Sequence, residues 1–151
     1  MTSSAIRPAT THDLAELATL FDAYRQFYEQ PSDIELANNF IADRLNHQDS
    51  VIFVAENNHQ ALIGFCQIYP SFCSVIAATI GVLYDLFVDS NARKTGAGRA
   101  LMLAAHEYAA KNGLRRLELT TAKNNQPAQA LYESLGWVRD EVFNSYSITF
   151  K

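Results

Sequence analysis

A short basic stretch with two glycines stands where the chain changes from strand-like to helix-like composition. It runs Arg93-Lys94-Thr95-Gly96-Ala97-Gly98-Arg99, between β-branched and aromatic residues that end at Val88 and an alanine- and leucine-rich segment that reaches Lys111. The first turn of a helix leaves backbone N–H groups unpaired and carries a partial positive charge, so it suits an anion. Small residues let phosphate oxygens approach the backbone, and basic side chains add positive charge. The stretch therefore predicts a pyrophosphate-binding loop.

Two other phosphate-binding loops do not fit this stretch. A Walker A loop ends in Gly-Lys-Ser or Gly-Lys-Thr, whereas Gly98 is followed by Arg99-Ala100. A dinucleotide fingerprint needs a third glycine, which is missing here. What remains is an arginine followed by two spaced glycines, at Arg93, Gly96 and Gly98. An ordinary tight turn is the alternative interpretation of so short a pattern.

A second segment downstream supports the functional interpretation. Asn125, Ala128, Tyr132, Gly136 and Trp137 follow the loop after one alternating strand-like run, LRRLELTT. In order and spacing, the loop resembles the acetyl-coenzyme A motif Arg/Gln-x-x-Gly-x-Gly/Ala of the GNAT N-acetyltransferase superfamily. The downstream segment resembles Asn-x-x-Ala-x-x-x-Tyr-x-x-x-Gly-Phe of the same superfamily, with tryptophan in place of the usual phenylalanine. The flanking elements are similar to the superfamily over nearly the whole chain.

The resemblance implies acetyl-coenzyme A as cosubstrate and assigns residues to it. The implied cofactor-binding residues are Leu86, Phe87, Val88, Arg93, Lys94, Thr95, Gly96, Ala97, Gly98, Arg99, Asn125, Ala128 and Tyr132. The strand residues at 86–88 would offer backbone N–H groups to the pantetheine and the thioester if the sheet splays there. Tyr132 matches the tyrosine that protonates the leaving thiolate, and a phenol of pKa ~10 suits donation to a thiolate of pKa ~8.5.

Acetyl transfer to an amine also needs a group that removes a proton, and Asp85 is the first candidate. Alternation along Thr79 to Val88 groups Asp85 with Gly81, Leu83 and Phe87, so this acid lies on an otherwise apolar face. Such a carboxyl group is either solvated at a sheet opening or retained for chemistry. Tyr84 is the second candidate and Glu118, on the neighbouring strand, the third.

A covalent route through a cysteine is the chemical alternative. Cys66 and Cys73 have apolar or aromatic neighbours and no evident histidine partner, so we expect direct transfer from thioester to amine. For the acceptor, the resemblance places the aromatic end of the first helix beside the substrate groove, with Tyr28 and Glu29 as substrate-binding candidates. We expect a small-molecule primary amine that is polyamine-like or an amino compound. A protein or peptide amine, or a non-catalytic acyl-coenzyme A binding module, remains the alternative.

Composition limits the remaining classes. The chain has 151 residues, 48% of them apolar, which predicts one soluble domain over residues 1–151. The net charge of −4 argues against a nucleic-acid partner, and the scattered histidines and two cysteines predict no metal site. No apolar run reaches the ~18 to 20 residues of a membrane span, and residues 1–4 lack signal-peptide character, so we expect a cytoplasmic protein without membrane contact. A homodimer is possible.

The order of the elements predicts an α+β fold, in the broad sense α/β. We expect a single GNAT-like domain with a mixed, mostly antiparallel twisted sheet of about six to seven strands, flanked by about four helices. The sheet should splay between the strand that ends at Val88 and the strand Leu114–Thr121. The expected closing strands are Trp137-Val138 and Ser145–Phe150.

Overall fold

The computed structural model describes residues 4–151, and the chain divides into two compact units, residues 1–120 and 121–151. The elements of the first unit are β1 (Ala5–Pro8), α1 (Leu14–Phe27), α2 (Ile34–His47), β2 (Val51–Glu56), β3 (Leu62–Cys73), β4 (Ala78–Val88), α3 (Ala97–Lys111) and β5 (Leu117–Glu118). The second unit contains α4 (Gln126–Ser134). Short 3-10 turns lie at Thr11–Asp13 and Ser90–Ala92.

The first unit is built on a five-stranded sheet in the order β1-β2-β3-β4-β5. Neighbouring strands from β1 to β4 are antiparallel, and β5 runs parallel to β4. The mixed, mostly antiparallel α+β fold is therefore confirmed. The β4–β5 ladder consists of Gly81↔Leu117 and Val82↔Glu118, after which β4 continues to Val88 without β5. This is the splay that the resemblance to the GNAT superfamily implied.

The strand count of six to seven was too high. The expected strand Leu114–Thr121 shortens to Leu117–Glu118, and residues 137–138 and 145–150 form no strand in the described part of the chain. Alternating residues such as Tyr146 and Ile148 favour extended backbone, but a strand requires a hydrogen-bonded neighbour. Here Tyr146 is 89% exposed and Ile148 is 78% exposed. Residue alternation therefore overestimated the sheet.

Helices of the first unit pack on opposite faces of the sheet. Phe65 of β3 packs against Phe21 and Tyr24 of α1, with ring centroids 6.2 and 5.8 Å away. The next residue along β3, Cys66, points its Sγ atom at the Leu101 carbonyl oxygen of α3, 3.8 Å away. Because successive strand residues point to opposite faces, α1 and α3 cover opposite faces.

Aspartates precede both N-terminal helices, and one of them acts as a cap. Asp33 accepts a hydrogen bond from the Leu36 N–H at 3.0 Å and caps α2. Asp13 precedes α1 but does not cap it; its carboxylate bonds to Arg7 and to the Thr10 N–H instead. These two aspartates set the entry of the N-terminal helix pair onto the sheet.

Candidate active site

A buried carboxyl group lies on strand β4. Asp85 is 3% exposed, and its Oδ2 atom accepts a hydrogen bond of 2.7 Å from Nε2 of Gln67, its partner on β3. Burial raises the pKa of Asp85, while hydrogen bonds from Tyr24 and Gln67 oppose that rise. Asp85 is therefore a carboxyl group enclosed by protein rather than one solvated at a sheet opening.

A β-bulge at Tyr84 decides which way this part of β4 faces. The β3–β4 register passes from Gln67↔Asp85 to Ile68↔Leu83, so Tyr84 is an extra residue on β4. Directly opposite residues share a face of a sheet. Asp85 therefore faces α1 together with Gln67, whereas Leu83 lies on the α3 face together with Ile68.

The face predicted for Asp85 from simple alternation is corrected by this bulge. Strict alternation put Gly81, Leu83, Asp85 and Phe87 on one face. The extra residue shifts the pattern by one, so Asp85 and Phe87 leave the face of Gly81 and Leu83. The bulge thereby turns an acidic group towards the tyrosine-rich end of α1.

Tyrosines from three elements surround the Asp85 carboxyl group. The hydroxyl of Tyr24, on α1, donates to the carbonyl oxygen of Tyr84 at 3.3 Å. The rings of Tyr24 and Tyr28 lie 5.2 Å apart, and those of Tyr69 and Tyr84 lie 5.6 Å apart. Burial, followed by the negative charge of Asp85, raises the pKa values of Tyr24, Tyr28 and Tyr69. These phenols therefore keep their protons at neutral pH.

The two substrate-binding candidates lie at the end of α1. Tyr28 is 46% exposed. Burial, followed by the negative charge of Asp85, raises its pKa, so Tyr28 lies within electrostatic reach of that carboxyl group. Glu29 is exposed and adopts a left-handed backbone conformation with φ of 63°. The third base candidate, Glu118, is exposed and forms an ion pair of 2.7 Å with Arg116. Glu118 is thus engaged elsewhere, which favours Asp85 as the base.

The glycine-containing loop follows β4 directly and ends in the first turn of α3. Gly96 is the N-cap residue with φ of 88°, and a Cβ atom placed on it would meet nothing within 4 Å. The first intrahelical bond runs from the Ala100 N–H to the Gly96 carbonyl oxygen at 3.0 Å, so the N–H groups of Ala97 and Gly98 precede it. No side chain of the described residues caps this end. The predicted alanine- and leucine-rich helix was expected to follow from Arg99, but α3 begins at Ala97. The N–H groups of Ala97 and Gly98 therefore lie in its first turn.

This geometry fits a bound anion. The glycine leaves open space at a positive helix end, and N–H groups of the first turn point outward along the helix axis. Thr95 holds the loop, because its hydroxyl donates to the Ala92 carbonyl oxygen at 2.7 Å. Lys94, with φ of 64°, is an exposed basic residue on the loop, and Arg99 is an exposed basic residue in the first turn of α3. The loop could therefore hold the pyrophosphate of coenzyme A.

Arg93 connects the loop to α1. Its Nε atom donates to the Val88 carbonyl oxygen at 3.2 Å, and its guanidinium carbon lies 5.8 Å from the Phe27 ring and 6.0 Å from the Phe87 ring. Cation–π contacts at such distances stabilise the arginine by ~0.5 to 1 kcal/mol at exposed sites. Arg93 thus places a positive charge between the glycine-containing loop and the tyrosine-rich end of α1.

The edge of β4 that β5 leaves open runs past Asp85 to the start of the glycine-containing loop. The Asp89 N–H donates to the Ile63 carbonyl oxygen at 2.8 Å, so it points towards the β3 side. Strand N–H groups alternate between the two edges. The N–H of Phe87 therefore faces β3, and those of Leu86 and Val88 face the edge that β5 leaves open. Leu86, Phe87 and Val88 were all predicted to offer N–H groups at the open edge. The alternation leaves only those of Leu86 and Val88 there, because the N–H of Phe87 faces β3.

The cysteines show no arrangement for nucleophilic catalysis. Cys66 is buried on the α3 face, where burial raises its pKa to about 12. Cys73 accepts a hydrogen bond from Arg116 at 3.3 Å, and its pKa is lowered by a backbone bond from Ile76 and by Arg116. Among the residues that the structure describes, no cluster of histidine, cysteine and carboxylate side chains could hold a metal ion.

The second unit holds the downstream motif in helix α4 and the turn that follows it. Asn125 caps α4 by accepting a hydrogen bond from the Ala128 N–H at 3.3 Å. The Tyr132 ring lies 6.2 Å from the Trp137 ring, and the Trp137 N–H donates to the Tyr132 carbonyl oxygen at 3.1 Å. Gly136, with φ of 93°, makes the turn that brings the tryptophan back. The motif residues therefore form one local structure.

Sequence reasoning missed part of the carboxyl site. Gln67 and Ser50 were not recognised, and Tyr24 was assigned only to the apolar side of its helix. A signal for Gln67 was present, because it is the one polar side chain between Leu62 and Tyr69, in a run that otherwise predicts a buried strand. The contacts of Tyr24 and Ser50 join residues far apart in the sequence, and only the fold shows them.

The model of the Acetyltransferase (GNAT) family matches residues 15–137, so the chain belongs to this family. This confirms the resemblance and the acyltransferase class predicted from the two motifs. GNAT enzymes in general use acetyl-coenzyme A. In the described residues, no helix has both the length and the hydropathy of a membrane span.

Relatives over most of the chain carry similar names. The uncharacterized N-acetyltransferase YhfO of Bacillus subtilis (strain 168) is 46% identical over 143 residues, which cover 95% of each chain. A probable acetyltransferase of Haemophilus influenzae is 31% identical over 108 residues, covering 72% of this chain and 74% of its own. The crystal structure of a probable acetyltransferase aligns with a TM-score of 0.91 and 34% identity, covering 97% of this chain and 98% of that chain.

Proposed function

We propose that this enzyme transfers the acetyl group of acetyl-coenzyme A directly to a primary amine of a small, cationic molecule. One observation carries the proposal. A buried carboxyl group, ringed by tyrosines, lies on the strand whose open edge leads into an anion-binding loop. The strand thus joins a place for the amine to a place for the cofactor.

The loop and the strand edge would hold the cofactor. Backbone N–H groups of Ala97 and Gly98, with Arg93, Lys94 and Arg99 nearby, suit the negative pyrophosphate. When bound, acetyl-coenzyme A supplies an activated acetyl group as a thioester. The N–H groups of Leu86 and Val88 suit the pantetheine and the carbonyl oxygen on which negative charge develops during transfer. We assign Thr95 to holding the loop, and Asn125 and Ala128 to the mouth of the cofactor cleft on the strength of the motif.

Asp85 is the proposed acceptor of the amine proton, directly or through water. An amine of pKa ~10.4 is mostly protonated at neutral pH, so the enzyme must remove a proton before the nitrogen can attack. A carboxyl group whose pKa is raised by burial is a stronger base than a solvated one, because it binds the proton more readily. Tyr84, 65% exposed and beside Asp85 at the bulge, is the second candidate.

Tyr132 is the proposed general acid. Its assignment depends on the motif that it shares with the family, in which a phenol gives its proton to the departing thiolate. The neutral phenol can do so because its ordinary pKa of ~10 lies above the ~8.5 of a thiol. A protonated amine loses two protons when it becomes an amide, one before the attack and one as the intermediate collapses. Asp85 accepts the first, and the second replaces the proton that Tyr132 gives to the thiolate. Each turnover therefore releases one net proton to solvent through Asp85, and no protein thiol is acetylated.

Charge and aromatic surface favour a cationic acceptor. Asp85 offers a negative charge, and the rings of Tyr24, Tyr28, Tyr69 and Tyr84 surround it. Aromatic faces attract ammonium groups, and the attraction is stronger where water is excluded. Glu29 adds a second carboxylate at the end of α1. We therefore favour a small polyamine-like or amino compound over a peptide amine.

Release of coenzyme A in the presence of a panel of acceptors tests this proposal. The panel should pair each cationic amine with its N-acetylated, neutral analogue and should include a lysine-containing peptide. We expect release with small primary amines and none with the blocked analogues. Release of coenzyme A with the peptide and with none of the small amines would indicate a protein amine as the acceptor. Tight binding of acetyl-coenzyme A without release for any acceptor would favour a non-catalytic binding module.

A further inference from the structure

Gln67 is a fully buried amide whose two ends are both engaged. It is 0% exposed, and its Nε2 atom donates to Asp85 Oδ2 at 2.7 Å. Its Oε1 atom accepts a hydrogen bond from the Ser50 hydroxyl, also at 2.7 Å. Few polar side chains are buried so completely, and those that are must be hydrogen-bonded. The three residues form a chain from β4 through β3 to the residue just before β2.

The order of donors along this chain is fixed by chemistry. A carboxylate only accepts hydrogen bonds, so the amide nitrogen of Gln67 must face Asp85. The amide oxygen then faces Ser50, which donates its hydroxyl proton to it. A hydroxyl can donate or accept, so the carboxylate of Asp85 sets the orientation of the amide, and the Ser50 hydroxyl holds the amide in place.

We propose that Gln67, held in place by Ser50, is a positioning residue that keeps Asp85 charged and aimed at the acceptor amine. This inference rests on the proposed function, in which Asp85 accepts the amine proton. Gln67 contacts neither the amine nor the cofactor in this scheme. It acts through Asp85, because a donor to a carboxylate stabilises the charged form that can take up a proton.

Other groups that bear on the Asp85 charge come from each element packed around it. They are Tyr24 and Tyr28 from α1 and its end, Cys66 and Tyr69 from β3, and Tyr84 from β4. Burial holds the pKa values of Tyr24, Tyr28, Tyr69 and Cys66 above their usual ranges, so these groups remain neutral as Asp85 titrates. Gln67 cannot titrate. A change in the Asp85 titration on replacing Gln67 therefore reports the lost amide donor.

The test follows the Asp85 carboxyl group by carbon-13 NMR, with its signal assigned by its loss in Asp85→Asn. The same variants are assayed for kcat/KM against pH. In Gln67→Met we expect the Asp85 titration and the acid limb of kcat/KM to move together to higher pH by about one unit, the size of one lost hydrogen bond to a charged group. Ser50→Ala should shift both in the same direction by less.

Two further variants separate this role from simple support of the strand. Cys66→Ala removes a buried side chain from the neighbouring position, on the opposite face of β3, and should leave both titrations in place. Gln67→Glu keeps the shape and replaces the donor by a second acid, so it should raise the Asp85 titration further. The Gln67→Glu variant provides the same test if Gln67→Met does not fold.

Three results are informative. Joint movement of the carboxyl titration and the acid limb supports the inference. A Gln67 variant that behaves like Cys66→Ala overturns it, as does a carboxyl titration that moves while the acid limb stays. Failure of the wild-type enzyme to release coenzyme A with any amine would instead overturn the proposed function, and the carboxyl titration would still decide whether Gln67 controls the charge of Asp85.

Discussion

The backbone N–H of Asp89 bonds to the carbonyl oxygen of Ile63, 2.8 Å away, across the end of the β3–β4 ladder. At the other end of β4, the Gly81 N–H donates to the carbonyl oxygen of Arg116, on the β5 side. The backbone N–H groups of the odd-numbered residues 81 and 89 thus point to opposite edges of the same strand. The bulge at Tyr84 accounts for the change, since an extra residue shifts the alternation by one. One inserted tyrosine therefore orients both the Asp85 side chain and the N–H groups of the open edge.

The first prediction concerns the anion-binding loop. Gly96→Asp should lower the affinity for acetyl-coenzyme A at least tenfold, about 1.4 kcal/mol, because a carboxylate would occupy the open space that suits the pyrophosphate. Isothermal titration calorimetry on the folded variant measures this effect.

Gly113→Asp is the matched control for this substitution. Gly113 has φ of 70° and open space around its Cβ position, but it lies beyond the other end of α3. Both variants therefore carry similar backbone strain. An unchanged affinity in Gly96→Asp, or an equal loss in Gly113→Asp, would contradict the loop as the pyrophosphate site.

The second prediction is that no protein thiol takes part in catalysis. The Cys66→Ala, Cys73→Ala double variant should keep its turnover, because Cys66 is buried with a pKa raised to about 12 and neither residue has a base beside it in the described structure. Turnover is measured together with thermal unfolding, so that loss of fold is recognised. Radiolabelled acetyl retained on the wild-type protein would show a covalent route instead.

The third prediction concerns Tyr132. Tyr132→Phe keeps the ring that lies 6.2 Å from Trp137 and removes only the hydroxyl. Cofactor affinity should change little, while turnover should fall about 10²- to 10⁴-fold, the usual loss for one positioned general acid. Tyr146→Phe, at an exposed tyrosine of the same unit, is the control and should retain full activity. A near-normal rate in Tyr132→Phe would remove this residue as the acid.

Much of the fold could be predicted because its signals are local. The strand that ends at Val88 and the change from strand to helix around the two-glycine stretch each depend on residues near one another in sequence. The loop at Gly96 was found for the same reason. The family motifs then supplied the cofactor and the activity class.

The parts that sequence could not provide depend on pairing between distant residues. A bulge is defined by the register of two strands, so Tyr84 gave no sign of it in isolation. The Ser50–Gln67–Asp85 chain joins residues that are adjacent only once three successive parts of the sheet are aligned. At the C-terminal end the error was of the opposite kind, since alternating residues indicated strands where the described chain has none.

The central claim, that Asp85 receives the proton of a cationic amine, is tested most directly by Asp85→Asn across pH 6 to 10 with a saturating amine. An acid acts as a base only above its pKa, and burial raises that of Asp85. Asparagine cannot accept the proton, so the deficit of the variant should be greatest near pH 6, where neutral amine is scarce, and should shrink as pH rises. A deficit of constant size at every pH, or no deficit at all, would contradict the account.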